Sequence, residues 1–203
     1  VLNDVSTPIM RVHKGIKSHS EDWDMEPNRK RWDKFVSIPP SKRSAYQAAY
    51  VQEHSYGGKG EDFGFNSQGK KGKLDTSRLH EREKDVVMKN DDFATVMRNW
   101  DSEQTLHYLD PPYSPKTTIE QYGKNQLAPE RVADVASKMK GKVMISYDNS
   151  KQVKDAFDKS EWHFQTIGTR GGLAGKGDTQ RRDLLITNFN PSKERKNAPA
   201  YEE

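Results

Sequence analysis

The stretch 106-LHYLDPPYSP-115 runs an apolar segment straight into an acid, two prolines and an aromatic. TLHYL (105–109) has the composition of a short buried strand, so Asp110 to Tyr113 stand at its carboxyl end. Proline lacks an N–H, and two in succession make a stiff turn whose carbonyls stay free to accept. Asp110 adds an acceptor-only carboxylate next to the Pro111 carbonyl. Two converging acceptors suit an –NH2 group, and Tyr113 offers a flat face to a planar ring. Ordinary strand-to-loop turns use the same residue types. What favours chemistry is the position of all four residues at a strand end within an α/β series.

The neighbouring segments supply that series. Upstream, DVVMK (85–89) reads as a strand and FATVMRN (93–99) as a short helix. Downstream, PERVADVASKMK (129–140) is a predicted helix ended by Gly141, with Val132, Val135, Ala136 and Met139 on one apolar face. KVMISY (142–147) is a strand, SKQVKDAFDK a helix, and WHFQTIGT (162–169) and RDLLITNF (182–189) are strands. Alternation with short connections predicts a mostly parallel α/β sheet. The last two strands are joined by a glycine-rich loop, 170-RGGLAGKGDTQR-181, and are expected to pair as a terminal antiparallel hairpin. Before this series, SAYQAAYVQEH (44–54) predicts a helix and 55–73 a glycine- and lysine-rich loop, whereas 18–44 reads as a long irregular excursion. PSKERKNAPAYEE looks like a frayed tail.

Composition sets limits on this picture. Hydrophobic and charged residues each make up 32 % of the 203 residues, so one modest core is available and much of the chain is surface. No stretch approaches the length of a membrane span. Zero cysteines exclude disulfides and thiolate metal sites and fit a reducing cytoplasm. The six histidines are scattered, with no metal cluster among them, and His107 inside a strand reads as structural. A net charge of +4 is compatible with a phosphate-bearing partner.

LHYLDPPY resembles the catalytic motif of S-adenosylmethionine-dependent amino-methyltransferases, in the Asp form of the adenine-N6 enzymes. The order of the remaining motifs resembles the Dam-type DNA adenine methylase family: 2-LND-4, 54-HSYGGKGEDFGFN-66, 90-NDDF-93, 143-VMISYDN-149 and 182-RDLLITNF-189. The resemblance implies a Rossmann-like class I methyltransferase sheet and S-adenosyl-L-methionine as cofactor. Catalysis would fall to Asp110, Pro111, Pro112 and Tyr113. By the same resemblance Asp4 would bind the cofactor's ribose hydroxyls, Asp92 would accept from its adenine's amino group with Phe93 packing nearby, and Asp110 would also contact the cofactor. Asp92 also reads as a helix N-cap, and Asp91 is a rival for its cofactor role.

The partner implied is double-stranded DNA, with no metal and no membrane, in a bacterial or phage-infected cytoplasm. Residues 1–17 and 85–190 would form the catalytic domain, 18–84 an inserted target-recognition region, and 191–203 a flexible tail. Around the hairpin loop, Arg170, Lys176, Arg181 and Arg182 are candidate phosphate contacts. The family's first strand and its F-x-G-x-G element find no match, and the start at 1-VLND predicts an N-terminally truncated member. Competing readings are an RNA amino-methyltransferase and a non-catalytic or degenerate nucleic-acid-binding remnant.

Overall fold

Leu2–Asn3 (β1) leads directly into a helix, Thr7–Ser18 (α1), which the sequence reading did not foresee. Pro8 stands in its first turn, where a missing N–H costs nothing, and Met10 and Ile16 are its buried residues. The computed structural model describes residues 1–19, 22–56, 60–64, 73–113, 127–169 and 181–195. These residues fall into two compact units, Val1–Val96 and Met97–Glu203.

In the first unit the expected irregular excursion is instead built from regular elements. Asp22–Asp24 (β2), Arg29–Val36 (α2) and a 3-10 turn at Pro40–Lys42 precede Ala45–Glu53 (α3). Helix α2 forms because the Asn28 side chain accepts from the Arg31 N–H at 3.0 Å. Its apolar residues Trp32, Phe35 and Val36 fall on one face at helical spacing. The predicted helix α3 is confirmed, closed by a capping box between Ser44 and Gln47. Trp23, Met25, Trp32, Phe35, Tyr50 and Val51 form the core with Ile16 of α1. Tyr50 is fully buried and its hydroxyl is satisfied twice, donating to Glu26 O at 2.7 Å and accepting from Asn28 N–H at 2.8 Å.

Helices α1 and α3 approach closely at Gly15, where an added Cβ would lie 2.1 Å from the Ala45 Cβ. The unit continues with Lys73–Asp75 (β3), Ser77–Glu83 (α4) and Met88–Lys89 (β4). Strand β4 is shorter than the predicted 85–89 and pairs in parallel with β1, Leu2 opposite Met88 and Asn3 opposite Lys89. Strands β2 and β3 pair antiparallel. Phe93–Asn99 (α5) follows as predicted.

The second unit holds Leu106–Leu109 (β5), Pro129–Ala136 (α6), Lys142–Asp148 (β6), Lys151–Ala156 (α7), His163–Thr169 (β7), Arg181–Thr187 (β8) and Pro191–Arg195 (α8). Its sheet runs β5-β6-β8-β7. Among neighbours β5 and β6 pair in parallel, and β8 returns antiparallel between β6 and β7. The sheet is thus as expected: β5, β6 and β7 run in one direction and β8 alone is reversed, because the connection from β7 is too short for a crossover helix. Helix α6 stops at Ala136, short of the predicted 140, and Met139 lies beyond it, half-buried. The expected frayed tail starts as a helical turn, since the Asn190 side chain accepts from the Ser192 N–H at 3.0 Å. Alternation along β6 buries Val143, Ile145 and Tyr147 on one face, while Met144 and Ser146 on the other are half-buried. Among the described residues no helix is long and apolar enough to cross a membrane.

Candidate active site

In the first unit the carboxyl ends of β1 and β4 gather the residues expected to hold a cofactor. Asn3 clamps the loop after β4 twice over, donating to Asp91 O and accepting from the Asp91 N–H, both at 3.0 Å. Asn90 reaches the opposite way, donating to Asp4 O at 2.7 Å and accepting from the Thr7 hydroxyl at 3.0 Å. These side-chain bonds continue the parallel pairing of two very short strands beyond their backbone ladder. They hold Asp4 and the 90–93 turn at one edge.

Asp4 Oδ1 accepts from the Ser6 N–H at 2.6 Å, an Asx turn that starts the entry to α1. Its Oδ2 has no hydrogen bond among the described residues and is available to a hydroxyl donor. Asp92 caps α5: its Oδ1 accepts from the Ala94 N–H at 3.1 Å and its carbonyl from Thr95 and Val96. The residue is exposed, so the cap leaves its carboxylate reachable by a ligand. Asp91 has both backbone groups committed to Asn3, and Phe93 is half-buried at the start of α5.

In the second unit Asp110 follows β5 directly. Leu109 pairs with Ile145, which places Asp110 beside Ser146 of β6. Asp110 is exposed as a residue, yet its carboxyl is held above the usual carboxylate range. Desolvation at the sheet end is the main cause and the Asp183 carboxylate the second, while a hydrogen bond with the Ser146 side chain acts in the opposite direction. Pro111 is buried, and Pro112 and Tyr113 are half-buried. The Tyr113 hydroxyl donates to Asp183 Oδ2 at 2.7 Å. Asp183 stands in β8 opposite Asp148 of β6, and both are buried. Burial and the nearby Asp148 and Glu130 also push the Tyr147 hydroxyl far above its usual range.

The sheet end is thus a set of acceptors: Asp110, Asp148, Asp183 and the carbonyls of a double proline. Such a set binds donors. Asp183 was not singled out from the sequence. Its only sequence signal is an acid at the head of an otherwise apolar strand, and its meaning appears once register places it near Asp110. His107 is structural, as expected: it is buried and its Nε2 lies 3.1 Å from Asp101 Oδ1.

Of the candidate DNA contacts, Arg170 and Lys176 lie outside the described residues. Arg181 and Arg182 open β8, opposite Thr169 and Gly168. Among the described residues no group of three or more His, Asp or Glu side chains is arranged to hold a metal ion.

No curated protein matches the chain. A family model, that of the D12 class N6 adenine-specific DNA methyltransferase, matches residues 65–167, half of the sequence.

Proposed function

The chain belongs to the D12 class N6 adenine-specific DNA methyltransferase family, and we propose that Asp110 to Tyr113 form its catalytic turn, acting on an adenine flipped out of duplex DNA. The observation that carries this reading is the placement of Asp110 at the carboxyl end of β5, beside Ser146 and Asp183, with Tyr113 of the same turn bonded to Asp183. The arrangement we assign is a Rossmann-like class I methyltransferase sheet, in which ligands bind beyond the carboxyl ends of the strands.

S-adenosyl-L-methionine fits the acceptors available. The free Oδ2 of Asp4 suits a ribose hydroxyl, and the exposed carboxylate of Asp92 suits an exocyclic amine while its other bonds cap α5. Phe93 would lie beside it. When bound, the cofactor supplies a methyl group already activated on a sulfonium.

The protein's own contribution is positional. An adenine in a duplex keeps its N6 paired, so the base must leave the stack. The Asp110 carboxylate and the Pro111 carbonyl accept the two N6 hydrogens, and the Tyr113 ring stacks on the purine. With both hydrogens held, the nitrogen lone pair is fixed in one direction, and orientation lowers the barrier to direct transfer. Asp110 must be ionised for this. Residues 18–84 are the target-recognition and DNA-contact region in this reading, and the arginines at the head of β8 contact phosphates.

The test is transfer of labelled methyl from S-adenosylmethionine to duplex DNA and to RNA by the wild-type protein and by Asp110→Ala. Label in adenine of duplex DNA, lost in Asp110→Ala, is the expected result. Label in RNA alone would mean an RNA amino-methyltransferase. No label, with DNA binding intact in both proteins, would mean a non-catalytic binding remnant.

A further inference from the structure

Asp183 is the most unusual group at the sheet end. It is 3 % exposed, it lies across the ladder from a second buried acid, Asp148, and its Oδ1 has no hydrogen-bond partner among the described residues. A buried carboxylate with one oxygen unsatisfied and a like charge opposite costs stability, and neither the core nor the ladder needs it. On its own face of β8 the next residues are Leu185, half-buried, and Thr187, buried, neither of them charged. What Asp183 does hold is the Tyr113 hydroxyl, at 2.7 Å through Oδ2.

From this geometry we infer that Asp183 is a positioning residue for methyl transfer: it anchors the Tyr113 hydroxyl and so fixes the plane of the ring on which the target adenine stacks. The inference rests on the reading that Tyr113 is the stacking surface. Tyr113 belongs to the turn that follows β5 and has no ladder of its own. Backbone stiffness from Pro111 and Pro112 fixes where the turn goes, but not the tilt of a side chain two torsions further out. A hydrogen bond at the far end of the ring removes that freedom, because a phenol held at both its Cβ and its oxygen cannot swing. The bond is charge-assisted, hence short and strong for its kind. It also couples the β7–β8 hairpin to the catalytic turn, so the angle of the ring depends on a strand distant in sequence.

Three substitutions separate positioning from structure. Asp183→Leu removes the acceptor and the buried charge together, fills the space with a side chain of similar size, and leaves Asp148 without a facing acid. Asp183→Asn keeps an acceptor for Tyr113 and loses the charge. Tyr113→Phe removes the donor and keeps the ring. Activity is read as methyl transfer to mixed-sequence duplex DNA, with kcat and KM separated, and folding by the thermal midpoint.

The expected result for Asp183→Leu is a fall in kcat of about tenfold to a hundredfold, the worth of one hydrogen bond to a charged group. Its KM for S-adenosylmethionine stays unchanged and its midpoint does not fall. Asp183→Asn recovers activity to within about threefold. Tyr113→Phe loses as much as Asp183→Leu, and the double variant loses no more than either.

Full activity in Asp183→Leu, or additive losses in the double variant, would overturn the inference while leaving the functional reading intact. If Asp183→Leu fails to fold, Tyr113→Phe breaks the same bond, and unchanged kcat there overturns the inference equally. Absence of methylation by the wild-type protein would overturn the functional reading, and the inference with it.

Discussion

Asp101 is expected to be the most costly single polar residue to remove from the second unit, and the structure gives the magnitude. Its Oδ1 accepts from the Gly141 N–H at 3.0 Å and from His107 Nε2 at 3.1 Å, and its Oδ2 from the Lys140 N–H at 2.8 Å. One carboxylate therefore ties the turn before β6 to a side chain in the middle of β5, the strand that ends on Asp110. In Asp101→Ala the Lys140 amide is exposed and finds water, so its loss counts for little. Gly141 and His107 are buried and their donors are stranded. At about 1–2 kcal/mol for each buried donor left unpaired, the variant should lose about 3 kcal/mol. With an m-value of roughly 2 kcal/mol/M, the urea midpoint would fall by about 1.5 M at constant m. The pH dependence follows from the sign of the shift. The Lys140 and Gly141 amides and His107, with the Lys140 amide the largest contributor, hold the Asp101 carboxyl below its ordinary range. A depressed carboxyl contributes stability above its unfolded value, near 4, and that contribution disappears as pH falls through the folded value. The gap between wild type and Asp101→Ala should therefore be flat between roughly pH 6 and 8 and narrow below about 4. Unfolding followed by circular dichroism across that range decides the matter. A midpoint unmoved by the substitution, or a gap that persists undiminished to about pH 3, would refute the reasoning.

Gly15→Ala sets two effects against each other. Alanine gains about 1 kcal/mol of helix propensity inside α1, but its Cβ would sit 2.1 Å from the Ala45 Cβ, a methyl with no flexible end to yield. Overpacking at about 2–3 kcal/mol wins, so the unfolding midpoint should drop, and Ala45→Gly in the same chain should restore most of it; a stabilised single variant would show that the helices separate freely. For Asp110, whose carboxyl lies above its ordinary range, methyl transfer should rise with pH as the carboxylate forms and level off above that range, measured as kcat/KM; a flat profile into the acid region would remove Asp110 from the reaction. The raised carboxyl also means that its contribution to stability is gained as pH falls through the folded value. Asp110→Asn should therefore unfold no earlier than wild type at neutral pH in thermal melts, while transferring far less methyl.

What could be read from the sequence was whatever is encoded locally. The strands β5 to β8 and the helices between them follow from runs of apolar residues broken by caps and glycines. The turn at Asp110 announces itself because two prolines and an acid have few other uses together. The first unit hid its helices for two physical reasons. Helix α2 carries five charged residues in eight, so composition reads as loop; its evidence is the spacing of Trp32 and Phe35 and the cap at Asn28. Helix α1 carries at its second residue a proline that looks like a breaker and is in fact tolerated in the first turn. Asn3, Asn90 and Asp183 were out of reach for a different reason. Each acts on a residue dozens of positions away, and only strand pairing shows which.

The acids at the end of the β5-β6-β8-β7 sheet make sense together only if stability is not what they serve. Asp148 and Asp183 face one another across a ladder, and Asp183 in turn raises the carboxyl of Asp110. Like charges so placed weaken a sheet that Val143, Ile145, Leu184 and Ile186 otherwise pack well. The same arrangement has a use when an amine nitrogen takes a methyl group, because that nitrogen becomes positive until it gives up a proton. Fixed negative groups and oriented carbonyls then lower the energy of the charged state more than that of the neutral amine, and need no reorganisation to do so. A strand end that repels itself when empty is one whose repulsion is relieved during the reaction. Replacement of Asp110 or Asp148 by its amide should then move stability and turnover in opposite directions, the pattern expected of a site in which strain is kept for function.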